Sequence, residues 1–213
     1  MKTNRPVNSS IHQGFTLIEL LVVIVIIGIL ASLVMSQATK MIADARKLQV
    51  QTVIKDLRIA IGGYLVEYNR YPVDSSLLSG SDGEDAPEMQ TDEKTGIVDA
   101  LMSTSSSDSK SNLNPKDIKF IDLPLAKNGM FGLVNAQPPY KLTDLWGQTY
   151  RVLLDTNGDK QVKNPDLQNS DPKISQNPTS PPPQKLPTEV AIYSTGLDKV
   201  ASTADDVVSW RQK

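Results

Sequence analysis

Apolar positions are unevenly spread along the chain, and their distribution predicts its main element. From Phe15 to Met35 it reads FTLIELLVVIVIIGILASLVM, where only Thr16, Glu19 and Ser32 are clearly polar. At 1.5 Å per residue, about 20 helical residues cross the roughly 30 Å hydrocarbon core of a bilayer. The remaining apolar residues are too few to bury such a run on all sides, so a membrane-spanning helix is expected. Beyond Met35 no proline stops the helix, but the pattern changes. Val53, Leu57, Ile61, Tyr64, Leu65 and Tyr68 recur at steps of three and four, the stripe of an amphipathic helix. Lys40, Asp44, Arg46, Lys47, Lys55, Asp56 and Arg58 dress its other side. The two segments predict one helix of about 50 residues, half in lipid and half packed on a globular domain. Gly62-Gly63 is expected to soften its end, and Pro72 lies beyond.

The remainder is polar and strand-like by turns. From Asp74 to Asp122 there are two hydrophilic runs, SGSDGEDAPE and STSSSDSKSN, which read as a solvated face or as bait for a basic partner. Between them, 96–102 suits a short helix, and Phe120 to Leu123 a short strand. Tyr150 to Leu154 is a strand candidate. Asn157-Gly158 then signals a hairpin turn, with Gln161 to Lys163 as the returning strand. Pro172 to Pro187 reads as an extended, proline-rich loop, and Val190 to Tyr193 as the last clear strand. No internal repeat is visible. The fold class is therefore α+β: a long N-terminal helix on a small antiparallel β domain with long loops.

Composition narrows the chemistry. The 213 residues contain no cysteine, which excludes disulfides, thiolate metal sites and cysteine nucleophiles. The single histidine, His12, rules out a multi-His metal centre. A net charge of -2 and a pI near 5.4 argue against nucleic-acid binding through a broad basic field. There is no G-x-S-x-G, phosphate loop or marked acid–base pair, so no enzyme is expected.

Lys2 and Arg5 precede the apolar run without an acid, which keeps Met1 cytoplasmic and sends the rest outward. The run then has three readings. It is a plain anchor; or a signal peptide cut at the small-x-small site Ser36-Gln37-Ala38; or a segment that needs Glu19. A carboxylate in that position costs up to about 3 kcal/mol on insertion scales, so the third reading must give it a use.

Gly14-Phe15-Thr16-Leu17-Ile18-Glu19 resembles the class III signal of type IV pilins and type II secretion pseudopilins. The resemblance implies cleavage after Gly14 by prepilin peptidase and methylation of the new N-terminal Phe15. Glu19 would then pair with a neighbouring subunit's N-terminal amine and set the filament register, since a paired carboxylate in low dielectric costs far less than an unpaired one. Gly28 either allows close helix packing or marks where the helix loosens on assembly. The resemblance implies a pilin-like fold in four parts: a leader at 1–14, a transmembrane and filament-core helix at 15–35, an amphipathic helix at 36–72 and a periplasmic β domain at 73–213. It also implies self-assembly into a filament, with an inner-membrane assembly platform and other pseudopilins as partners. The type II secretion pseudopilus is the leading reading. A type IV or competence pilin is the alternative of the same class, and a single-pass anchored or secreted binding protein the alternative of another.

Three further stretches carry the resemblance. GYLVEYNRYP is similar to the helix-end segment of major pseudopilins and is expected to be core packing plus a proline stop. Asp144-Leu145-Trp146-Gly147 is similar to their D-P-W-G turn, with Trp146 expected to plug the core. Ser194-Thr195-Gly196-Leu197-Asp198, followed by Asp205-Asp206 and Trp210, resembles their C-terminal calcium loop, with Lys199 in place of a common glycine. This makes Asp198, Asp205 and Asp206 the expected calcium ligands, helped by carbonyls near Thr195 and Val200. A second, weaker imitation of a calcium loop runs through Asp155, Asn157, Asp159, Gln161 and Asp166. There Lys160 takes the turn-glycine position, and a plain turn is the competing explanation.

Overall fold

In the computed structural model, residues 15–80, 83–103 and 113–211 are described, except for the side chains of Leu33, Val34 and Ser36. The leader at 1–14 and most of the serine-rich run lie outside them. Helix α1 is one continuous element, Leu17–Tyr68, of 52 residues. The chain divides into two compact units, Met1–Ala45 and Arg46–Lys213.

In the first unit α1 is long and apolar enough to cross a membrane, with a mean hydropathy of 3.1 over its most apolar window. None of that window is buried within the protein. Ser32 is satisfied inside the helix, its hydroxyl donating to the Ile29 carbonyl at 2.7 Å. A helix apolar all round, with its polar groups bonded internally, is what a bilayer tolerates.

In the second unit the sequence period becomes a buried face. Val50, Ile54, Leu57, Ile61 and Tyr64 are all at most 2% exposed. Gly62 and Gly63 remain helical, so they do not end α1. Asn69 does: its backbone turns left-handed at φ 51° while its N–H still donates to Leu65 O at 2.8 Å. Tyr64, Tyr68 and Phe120 form an aromatic cluster. Tyr64 donates to Leu113 O, and Tyr68 to Asn114 Oδ1 at 2.5 Å. The GYLVEYNRYP stretch is thus a packed helix end.

After a 3-10 turn at Ser75–Leu77 the chain forms β1 (Met89–Gln90) and α2 (Ile97–Met102). Then come β2 (Gly132–Leu133), β3 (Leu142–Thr143), β4 (Arg151–Leu154) and β5 (Val162–Lys163). A 3-10 turn at Pro165–Gln168 and α3 (Pro172–Ser175) lead to β6 (Lys185–Leu186), β7 (Val190–Ser194) and β8 (Val207–Val208). The main sheet is antiparallel in the order β1-β4-β7-β8, and β2-β3 and β5-β6 make two small pairs. Side chains alternate across the main sheet. Val152, Leu154, Val190 and Ile192 join the core that contains the α1 stripe, whereas Leu153, Ala191, Tyr193 and Val208 pack with Val162 and Leu186 of the β5-β6 pair. The sheet is sandwiched between the helix and that pair.

Four expectations change. Phe120 to Leu123 is not a strand; Phe120 serves the tyrosine cluster instead. β4 and β5 are not a hairpin, because β4 pairs β1 and β7 while β5 pairs β6. The 172–187 stretch is not uniformly extended. Asp171 accepts a hydrogen bond from Lys173 N at 2.9 Å and starts α3 with Pro172 in its first turn. Finally, β8 follows β7, too short to announce itself in the sequence.

Candidate functional site

At the N-terminal end of α1, Thr16 is the cap and Glu19 the third helical residue. The Thr16 N–H and hydroxyl both donate to Glu19 Oε2 at 2.8 Å, and Glu19 N donates back to Thr16 Oγ1 at 3.3 Å. This reciprocal capping box satisfies donors that a helix start leaves free. It also gives the carboxylate partners within its own chain. Phe15 lies beside it, 78% exposed, while Gly14 falls outside the described residues. The Thr-x-x-Glu spacing is a capping signature in its own right, separate from the processing role expected of Gly14 and Phe15 and the assembly role expected of Glu19.

The second candidate is the loop between β7 and β8. Gly196 has φ +69°, and a Cβ there would stand 2.5 Å from Asp205 Oδ2 and 2.6 Å from Asp205 O. Only glycine permits that approach. Asp205 Oδ2 accepts from Leu197 N at 2.6 Å and Asp198 N at 3.1 Å. Burial pushes Asp205 up, but the Asp198 N–H, the Thr203 hydroxyl and the Leu197 N–H outweigh it and hold the group below its usual range. Asp206 Oδ2 accepts from Ser202 N and Thr203 N at 2.9 and 3.2 Å. There burial wins over the N–H donors and raises the pKa to about 6.

Three oxygens converge on the Thr203 hydroxyl: Asp205 Oδ1 at 2.8 Å, Val200 O at 3.1 Å and Asp206 Oδ1 at 3.3 Å. One proton serves three acceptors. The Thr195 hydroxyl, at the start of the loop, is buried without a partner. A cluster of carboxylate and carbonyl oxygens that share one hydroxyl proton is of the kind a hard cation takes. Asp198 is held differently, its Oδ1 accepting from Val200 N at 2.8 Å. Among the described residues no trio of His, Cys, Asp or Glu stands together as metal ligands.

The 155–166 residues are committed elsewhere. Asp155 accepts from Gly158 N and Lys160 N at 2.7 and 2.8 Å, which makes a turn. Asp159 Oδ2 pairs with Lys185 Nζ at 2.6 Å. Asp166 is gripped from the C-terminus: Trp210 Nε1 donates at 2.7 Å, and the Arg211 guanidinium donates through Nη2 at 2.7 Å and Nε at 3.0 Å. The ligand set suggested by spacing is therefore not assembled. Asp166 is a tertiary clasp, which nothing near it in sequence announces.

Asp144 was likewise missed as an organiser. It is fully buried; its Oδ1 accepts from Trp146 N and Gln148 N at 2.8 and 2.9 Å, and its Oδ2 from the Ser194 hydroxyl at 2.6 Å. Burial raises its pKa, against the lowering effect of these donors. Trp146 is partly buried against the core, as expected, but the carboxylate beside it ties the turn to β7.

Two comparisons with known proteins bear on these sites. Residues 10–35 match the family described as "Prokaryotic N-terminal methylation motif". Over 61 residues, 29% of the chain, the sequence is 42% identical to "Type II secretion system core protein G" of Pectobacterium carotovorum subsp. carotovorum, and the match covers 39% of that relative. No solved structure matches significantly. Together they support the pseudopilin or type IV pilin-like family, and the motif match falls on the segment that holds Phe15, Thr16 and Glu19.

Proposed function

We propose that the chain is a structural, non-catalytic subunit of a type II secretion pseudopilus. The observation that carries this is the methylation-motif match over 10–35, on a helix end where Phe15 and a capped Glu19 stand at the head of an apolar span. Prepilin peptidase cuts between Gly14 and Phe15. The precursor waits in the inner membrane with residue 1 cytoplasmic and the β domain periplasmic. An assembly platform draws mature subunits, together with other pseudopilins, into a periplasmic filament held by apolar helix packing and by Glu19 pairing with a neighbour's amine. The capping box supports this order of events, because it lowers the cost of holding Glu19 in lipid before a partner arrives.

Mass spectrometry of the membrane-extracted protein tests the reading. N-methyl-Phe15 is expected. A mature end just after Ala38 would make this a secreted protein, and an intact Met1 in cells with active prepilin peptidase would leave a plain anchor.

Calcium at the C-terminal loop is a separate proposal. Asp205, Asp206 and the Val200 carbonyl would hold the ion, with Asp198 as the additional carboxylate, and the ion would neutralise the crowded oxygens and order the loop. Calorimetric titration should show binding that is lost in both Asp205→Ala and Asp198→Ala. Unchanged binding in both variants would place the ion elsewhere.

A further inference from the structure

Beside α3 lies a depression of about 680 Å³ whose floor and rim include Trp210, Pro182 and Leu186. Its charged lining residues are Arg58, Lys173, Arg211 and Asp166. Asp166 is consumed by Arg211. Arg58 donates only to the Thr188 hydroxyl, at 3.0 Å, and neither Arg58 nor Lys173 has a carboxylate partner among the described residues. The depression is therefore an aromatic- and proline-lined groove carrying two uncompensated cations.

The same domain carries the complementary surface. A second depression, of about 450 Å³, is edged by Glu84, Asp85 and Glu88, with Lys163 as its one basic lining residue. This acidic edge is exposed at Glu84 and Glu88 and is held in place from beneath. Thr156 N and Asn157 N donate to Asp85 Oδ1 at 3.0 and 3.3 Å, Ala86 N donates to the Thr156 hydroxyl at 2.7 Å, and Asn157 Nδ2 donates to Gly83 O at 2.9 Å. Glu88 is spent on Arg151 and Tyr193, but Glu84 has no ion-pair partner among the described residues. A pre-ordered edge loses little conformational freedom on docking.

The two depressions flank one strip of chain. Lys163, Pro165 and Gln168 line the acidic one; Asn164 and Asp166 line the basic one. We propose that the acidic edge around Glu84 of one copy seats in the Arg58–Lys173 groove of a second copy. The two surfaces differ, so the contact is head-to-tail, the class that propagates into an open filament when its rotation does not close a ring. This rests on the filament reading above and names a lateral contact within it. Charge complementarity sets register and rejects wrong pairings.

The chain has no cysteine, so an introduced pair reports cleanly. Full-length Glu84→Cys and Lys173→Cys copies are co-expressed in cells that assemble the filament, and intermolecular disulfides are scored under mild oxidation. A Glu84–Lys173 crosslink is expected. Reversal of both groove cations, Arg58→Glu with Lys173→Glu, should lower filament yield about tenfold or more, and adding Glu84→Lys should recover much of it. Filaments that form without the crosslink, and whose yield ignores the reversals, overturn the contact and leave the filament reading intact. Subunits that stay dispersed in the membrane even with native groove and edge overturn the filament reading itself, and this contact with it. A crosslink of either cysteine to another protein alone overturns the second copy as occupant.

Discussion

The head of α1 and the C-terminal domain both contain carboxylates that must find partners, and they find them by opposite means. Glu19 is satisfied from three residues away, by Thr16. Asp166 takes Arg211 from 45 residues away, and Asp144 takes Ser194 from 50. A local partner travels with its motif, so the helix head keeps its chemistry whatever domain follows. A distant partner exists only once the domain has folded, so the domain's carboxylates report on its cooperativity. Changes at the head should thus abolish assembly without unfolding, and changes in the domain should unfold before they affect assembly.

The largest effect is expected at Glu19. Glu19→Ala should insert normally and leave the domain's unfolding curve unchanged, yet abolish filament formation; sedimentation of sheared filaments against the membrane fraction measures it. Filaments at normal yield would show that the head carries no register. Next comes Asp166→Ala. It leaves Trp210 Nε1 and the half-buried Arg211 guanidinium without their acceptor, at a cost of about 2 kcal/mol. Urea unfolding of the detergent-solubilised chain should show it as a lower midpoint, and an unchanged midpoint would make the clasp ornamental.

The same contrast explains what could be read from the sequence. The apolar run, the change to a helical stripe at Val53 to Tyr68 and the buried strands at 151–154 and 190–194 are local patterns, and the fold displays each of them. Strand partnership is not local. Asn157-Gly158 suggested that β4 returns as β5, but Asp155 captures Gly158 N and Lys160 N and steers the chain away, so β5 finds β6 more than 20 residues on. At the candidate sites, the order Phe15, Thr16, Glu19 was legible because processing and capping both depend on adjacent residues. The spacing of Asp198, Asp205 and Asp206 was legible, but the hydroxyl of Thr203 among the oxygens of Val200, Asp205 and Asp206 was not. Nor was the grip of Trp210 and Arg211 on Asp166, for which no residue near Asp166 gives a sign.

Gly196→Ala sharpens the comparison within the loop. The new methyl would meet Asp205 at 2.5 Å in a left-handed backbone, with a loss of about 2 kcal/mol. The loss should appear as a lower thermal midpoint and, because Asp205 must move, as weaker calcium binding if calcium binds there.

A smaller effect lies in pH. The Asp144 pKa is raised by burial above the ordinary value of 3.8, as is that of Asp99. In the pH range just above 3.8 the unfolded chain has released these protons while the folded chain still holds them. Their contribution to stability is therefore greatest at acid pH and is lost as pH rises through the folded values. Asp144→Asn keeps an acceptor for Trp146 N and Gln148 N and removes the titration. As pH rises from the ordinary carboxylate value of 3.8, the thermal midpoint should fall less in the variant than in the parent. Parallel profiles would mean that Asp144 does not titrate in that window.

The smallest effect should be a gain. Lys199 stands at φ +63°, in the region that favours glycine. The left-handed backbone costs a side-chain-bearing residue roughly 1 kcal/mol or more. Lys199→Gly removes that strain but frees the unfolded chain, which returns part of the gain. The net stabilisation should be about 0.5 kcal/mol, read as a slightly higher urea midpoint with an unchanged slope. Since Lys199 adjoins the crowded oxygens of Val200, Asp205 and Asp206, relaxing its backbone should tighten the calcium binding proposed for this loop more than it stabilises the calcium-free chain. A variant that gains stability equally with and without calcium would show that the strain at Lys199 is independent of the loop's oxygens.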